Sequence, residues 1–198
     1  MNPVIQTLRP ALSVFALLTA LTGVAYPLLV TGIAQVAFPH AANGSMMSVE
    51  GKAVGSSLIG QSFSAPKYFW GRPSATSPMP NNGVASDGSN LGANNPALQS
   101  AVKDRVAALR NADPGNTQPV PVDLVTASGS GLDPEISLAA AHYQAPRIAR
   151  VRGIDETAVR SLIEQRAERP WLGVIGEPRV NVLQLNLALD GKAVDISR

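Results

Sequence analysis

Apolar residues follow two different patterns along this chain. Over residues 10–38 they are nearly continuous, with no formal charge and a high density of Leu, Val, Ala and Thr. A helix of roughly 20 such residues crosses the ~30 Å core of a bilayer, so this run spans one with residues to spare. A cleaved secretory signal has a shorter apolar region, roughly 7 to 15 residues ahead of small residues at the cleavage point. Residues 37–42 include small side chains, but the run before them is too long for that pattern. The expectation is a short N-terminal segment over 1–9, an uncleaved transmembrane helix over 10–38 and a soluble domain over 39–198.

Within the span, Ala16, Ala20, Gly23, Pro27, Thr31 and Ala34 recur at steps of three and four, which lines small residues along one helix face. Leu17, Leu18, Leu21, Leu28 and Leu29 supply the bulkier remainder. Lipid tails offer apolar helices no hydrophobic reason to associate, so close approach through small residues is the usual route to helix pairing. This stripe is the predicted packing face, and the membrane lipid is the other expected contact. Pro27 lacks a backbone donor and is expected to bend the helix. The same composition is common in membrane helices generally. The span carries no ionisable group for a proton or ion relay, and one helix encloses no pore, so transport would require other chains.

Beyond the span the pattern becomes that of a folded domain. Residues 54–69 place Leu58-Ile59 and Tyr68-Phe69 between Gly, Ser and Pro, which predicts short strands. Asn95 and Pro96 open a helix whose apolar face is Leu98, Val102, Val106 and Leu109, ended by Asp113-Pro114-Gly115. Val120, Val122 and Leu124 alternate as a strand, and Ser128-Gly129-Ser130-Gly131 turns the chain. Asp133-Pro134 starts a short helix through Ala141, Pro146 opens another ended by Gly153, and Asp155 caps a third that Pro170 stops. In that third helix Ile154 is placed to pack on Val159. Residues 179–189 alternate Leu183, Leu185, Leu187 and Leu189 with polar neighbours and read as a long strand before the Asp190-Gly191 turn. Strands at both ends of a helical middle predict one α+β domain.

Charge sharpens this division. Arg9 is the only Asp, Glu, Lys or Arg before Glu50, and the remaining 29 of 30 charged residues lie beyond it. An arginine on the N-terminal flank, with no Lys or Arg after the span until Lys52, predicts a cytoplasmic N-terminus and an extracytoplasmic domain. Basic and acidic residues beyond the span nearly balance, which excludes a nucleic-acid stripe. With no cysteine and two distant histidines, His40 and His142, thiol chemistry and a zinc ribbon are excluded. Tyr68-Phe69-Trp70 followed by Gly71-Arg72-Pro73 reads either as an aromatic and arginine contact surface or as a core corner with one surface arginine. Arg147, Arg150 and Arg152 read as a solvated or partner-facing side. Residues 77–96 are rich in Gly, Asn, Pro and Ser, long for a structureless loop in a compact domain. Their carbonyls and amides suit a cation vestibule or a partner, although no spacing requires either. Gly88-Ser89-Asn90-Leu91-Gly92 lacks the lysine of a phosphate loop. Ser128 and Ser130 lack the spacing of a hydrolase elbow; a membrane-anchored periplasmic serine hydrolase using one of them, or a secreted binding module, is the alternative to a subunit.

Leu58-Ile59-Gly60-Gln61, the run from Tyr68 to Ala75, Ser89-Asn90-Leu91-Gly92, Asn95-Pro96, the run from Val122 to Pro134 and Val180-Asn181-Val182-Leu183 occur in an order that resembles the C subunit of the Kdp-type potassium-transporting ATPase over almost the whole chain. The resemblance implies a single-pass, non-catalytic accessory subunit of the bacterial inner membrane. Its partners would be a channel-like subunit that binds potassium and a P-type subunit that hydrolyses ATP. It also implies a role as a catalytic chaperone that raises the ATP affinity of the ATPase subunit, so ATP would be met through that subunit; no cofactor is expected in the chain itself. Gly71, Arg72 and Asn90 become candidate partner contacts through their place in these motifs.

Overall fold

The computed structural model describes residues 3–170, 173, 175–192 and 195–196. They form two compact units, one through Ser45 and one over Met46–Ile196. In the first, α1 (Pro3–Ala20), a π turn (Leu21–Ala25) and α2 (Tyr26–Ala37) follow one another without a gap. Residues Gln6–Ala37 are long and apolar enough to cross a membrane. At 1.5 Å per residue their 32 residues reach ~48 Å, more than a bilayer core requires.

The π turn sits immediately ahead of Pro27. In a regular helix the proline ring would press on the carbonyl of Gly23, four residues back, and leave it without a donor. Widening the preceding turn accommodates one extra residue, so the helix below is rotated against the helix above by about the 100° that one residue occupies. The Thr22 hydroxyl donates to Leu18 O at 2.7 Å within this region. Phe38 leaves helical geometry, and the four-residue α3 (Pro39–Ala42) follows. The side-chain amides of Gln35 and Asn43 exchange hydrogen bonds of 3.3 and 3.2 Å across this joint.

The second unit is α+β, as the sequence predicts. Strand β1 (Met46–Val49) pairs antiparallel with β2 (Lys52–Ser56) and with β5 (Asp195–Ile196). Helix α4 (Pro96–Ala112) precedes a second antiparallel pair, β3 (Glu135–Ser137) with β4 (Arg179–Asn181). Helices α5 (Leu138–Arg152) and α6 (Glu156–Arg166) lie between those strands in sequence, and α7 (Val182–Leu189) follows β4 directly. The core gathers around α5, whose buried Ala140, Ala141, Ala145 and Ala149 permit close approach by Val159 and Ile163 of α6, by Leu185 of α7 and by Phe69. Met47 and Val49 form a smaller cluster with Leu183 and Leu187.

The helix caps explain several differences from the sequence expectation. Asn95 and Asp155 cap α4 and α6 as predicted, accepting from Ala97 N and Thr157 N at 2.9 Å each. Asp133, by contrast, accepts from Glu135 N at 2.9 Å, a local turn, and β3 rather than a helix follows. The cap of α5 is Ser137, which accepts from Ala140 N at 3.0 Å. Pro146 lies inside α5 instead of opening a new helix, and the helix ends at Gly153, whose φ of 67° is left-handed. The long strand predicted over 179–189 is also corrected. Only Arg179–Asn181 are extended; Asn181 then accepts from Gln184 N at 3.1 Å and starts a helix. The strand predicted from Val120, Val122 and Leu124 is a single 3₁₀ turn, Val122–Leu124. Pro119 and Pro121 remove the amides a ladder would need. Of the strands expected over 54–69, β2 accounts for the first residues and the rest is irregular.

Candidate functional site

The irregular chain after β2 is built from the side chains of the C-terminal helices. Asn186 on α7 accepts from Phe69 N at 2.8 Å and donates to Phe69 O at 3.0 Å, satisfying that residue's backbone completely. Gln144 on α5 does the same for Trp70, with bonds of 2.8 and 3.1 Å. Arg147, one helical turn on, donates to Pro66 O, to Tyr68 O and to Gln144 Oε1. Its guanidinium also lies 4.5 Å from the centre of the Trp70 ring. Burial pushes the Arg147 pKa down to about 10. Asn181 donates to Ser57 O at 2.8 Å, fixing the start of the same segment. Buried backbone requires such partners, and here no strand supplies them.

Of the three arginines expected to face solvent, Arg147 is instead an interior strut, Arg152 is half-buried and Arg150 is exposed. Arg147 is 2% exposed. Arg152 donates to Lys67 O and Leu189 O, pairs with Asp190 at 2.8 Å and lies 5.1 Å from the Tyr68 ring. Arg150 pairs with the buried Asp113 at 2.8 Å, tying α5 to the end of α4. Charge in a sequence does not reveal that carbonyls await it inside. A feature that does is the spacing of Gln144 and Arg147 on a helix that also buries Ala140, Ala141, Ala145 and Ala149.

These struts present Trp70-Gly71-Arg72-Pro73 as a ridge. One flank is an apolar groove of about 340 Å³ lined by Phe63, Trp70, Gly71, Pro73, Ala108, Leu109 and Leu124, with Arg105 also in its lining. The other is a charged hollow of about 220 Å³ that includes Arg72, Asp123, Asp133, Glu135 and Arg179. The core-corner reading holds for Phe69, which is fully buried, while Trp70 and Arg72 are half-buried. Arg72 pairs with Asp133 at 3.0 Å and donates to Ala127 O. Burial raises the pKa of Glu135, and the nearby Arg179 guanidinium pulls it the other way.

The loop after the ridge is ordered by its hydroxyls and amides. Ser74 Oγ donates to Gly131 O at 2.7 Å and accepts from Asn81 N. Thr76 Oγ1 donates to Met79 O and accepts from Asn82 N. Asp87 N donates to Ser130 O, which pins the far end. Gly131 has φ of 67°, and a Cβ there would stand 2.6 Å from both Asp87 O and Thr76 Cγ2, so only glycine permits this approach. The structure brings Gly71 and Arg72 together on the ridge. Asn90 lines neither flank; it is exposed, with φ of 50°, and its amide reaches Asp87 Oδ1 at 3.5 Å.

The serines are not arranged for nucleophilic catalysis. Ser128 Oγ is buried without a hydrogen-bond partner, and Ser130 Oγ accepts from Leu132 N. His142 is engaged with Glu164 at 2.9 Å and with Arg160 at 3.2 Å. Among the described residues no cluster of His, Asp and Glu is placed to hold a metal ion.

One helix long and apolar enough to cross a membrane, followed by an α+β domain, is consistent with the class of single-span anchored chains. A family profile described as KdpC: K+-transporting ATPase, c chain, matches residues 8–191, and the chain belongs to that family. It is 65% identical over 185 residues to a protein of Methylibium petroleiphilum named potassium-transporting ATPase KdpC subunit, covering 93% of this chain and 97% of that one. A protein of the same name from Polaromonas naphthalenivorans is 67% identical over 183 residues, covering 92% and 93%. The one from Janthinobacterium sp. is 62% identical over 185 residues, covering 93% and 98%.

Proposed function

We propose that this chain is a non-catalytic accessory subunit of an ATP-driven potassium uptake complex in the bacterial inner membrane. Its span packs against the channel-like, potassium-binding subunit and the P-type ATPase subunit, and its α+β domain stands on the extracytoplasmic side. The observation that carries this reading is the long apolar helix, whose apolar stretch shows no burial among the described residues. The π turn divides the stripe into Ala16 and Ala20 before it and Pro27, Thr31 and Ala34 after it, with Gly23 inside the turn. Their rotation against each other suits contact with two neighbours rather than one. In this reading ATP is bound by the ATPase subunit, and the chain raises its affinity there through contact.

The test is the double variant Ala20→Leu, Gly23→Leu in the purified complex. A Cβ on Gly23 meets nothing within 4 Å in the chain, so the change leaves the subunit's own fold intact. Loss of the subunit from the complex, with falling potassium transport, is expected. Unchanged assembly and transport would sink the packing face.

A further inference from the structure

The apolar groove beside Gly71 contains a charge that no carboxylate among the described residues answers. Arg105, like Arg110, Arg147 and Arg166, has no ion pair among the described residues, and of these it is the one that lines the groove. Among the described residues its guanidinium donates from Nη1 to Val125 O, at 2.8 Å. Burial lowers its pKa below the ordinary arginine value. A guanidinium has five donors in a planar fork suited to a carboxylate, and this one is half-buried among Phe63, Trp70, Leu109 and Leu124. The groove's volume, about 340 Å³, is at the small end of the range for ligand pockets, enough for one large side chain with its flanking backbone.

We propose that this groove seats an apolar side chain of another subunit of the complex, and that a carboxylate of the same segment pairs with Arg105. The inference rests on membership of a multi-subunit ATPase and names the chemistry of one of its contacts. Charge favours a protein segment over an anionic lipid, because lipid surfaces are recognised by clusters of basic side chains and Arg105 is the only cation in this lining. The ridge also places Trp70 and Pro73, held rigidly from below, at the edge of the groove. Pre-ordered aromatic anchors of this kind concentrate binding energy.

A photo-crosslinking amino acid in place of Ala108, which is exposed and lines the groove, tests the contact in the intact complex. The expected product joins this chain to a segment of another subunit that carries Asp, Glu or a chain terminus beside an apolar residue. Crosslinking to lipid alone, to a segment without a carboxylate, or to nothing would overturn the proposal. As a second arm, Arg105→Gln and Ala108→Trp should each speed release of the subunit from the complex about tenfold. Arg105→Lys should lie between Arg105→Gln and the unaltered chain, and the Arg105→Gln effect should shrink as salt rises. Release indistinguishable from the unaltered chain in both variants would overturn the proposal. If the span variant Ala20→Leu, Gly23→Leu still frees the subunit in that case, the assembly reading stands while the groove contact falls.

Discussion

Arg147 brings a full charge into the core, where carbonyl and amide oxygens accept its hydrogen bonds and the Trp70 ring faces its guanidinium. Desolvation holds its pKa to about 10, so the ion remains protonated at neutral pH and its hydrogen bonds are what make burial tolerable. Arg147→Met keeps much of the volume but orphans Pro66 O and Tyr68 O. It is expected to cost about 3 kcal/mol, read as a lower urea midpoint for the detergent-solubilised chain. Little of this was legible beforehand. An arginine close to Arg150 and Arg152 resembles a solvated face, and only the partners 79 and 81 residues away, on an irregular segment, reverse that reading. Arg72 was more legible, because its neighbours Trp70 and Pro73 already marked a structured corner.

At the level of elements, polar side chains at the ends decided the outcome more often than apolar periodicity did. The α4 and α6 helices were readable because Asn95 and Asp155 precede faces with a clean helical repeat. In α7 the alternation of leucines pointed to a strand, yet Val182, Leu183, Leu185, Asn186 and Leu187 are all buried. An element covered on every side shows no polar face, so its period carries no information and its cap does. Asn181 performs two tasks, capping α7 and donating to Ser57 O. Asn181→Ala should therefore cost about 2 kcal/mol, where Asn95→Ala, a cap alone, should cost about 1 kcal/mol. Equal losses in denaturant titrations of the two variants would contradict that difference. The π turn was legible only as a bend at Pro27, since the choice between kinking and widening depends on the backbone.

For the whole molecule, the uneven charge distribution is the feature that sequence reading located best. A single Arg9 ahead of the span and 29 charges beyond it divide the chain between two solvents. The positive flank predicts that protease added outside sealed spheroplasts degrades the domain and leaves the N-terminal end protected. A domain that resists until the cells are lysed would place it in the cytoplasm instead. The α+β class was readable from element order, and the ridge was readable from its aromatic run, but not what supports it. The bonds from Asn186 to Phe69 bridge 117 positions. During synthesis at about 5–20 residues per second, the ridge segment emerges roughly ten seconds before the helix that must hold it. Its aromatic side chains thus spend that interval without their scaffold, and the ridge takes its final shape only once α7 has been made.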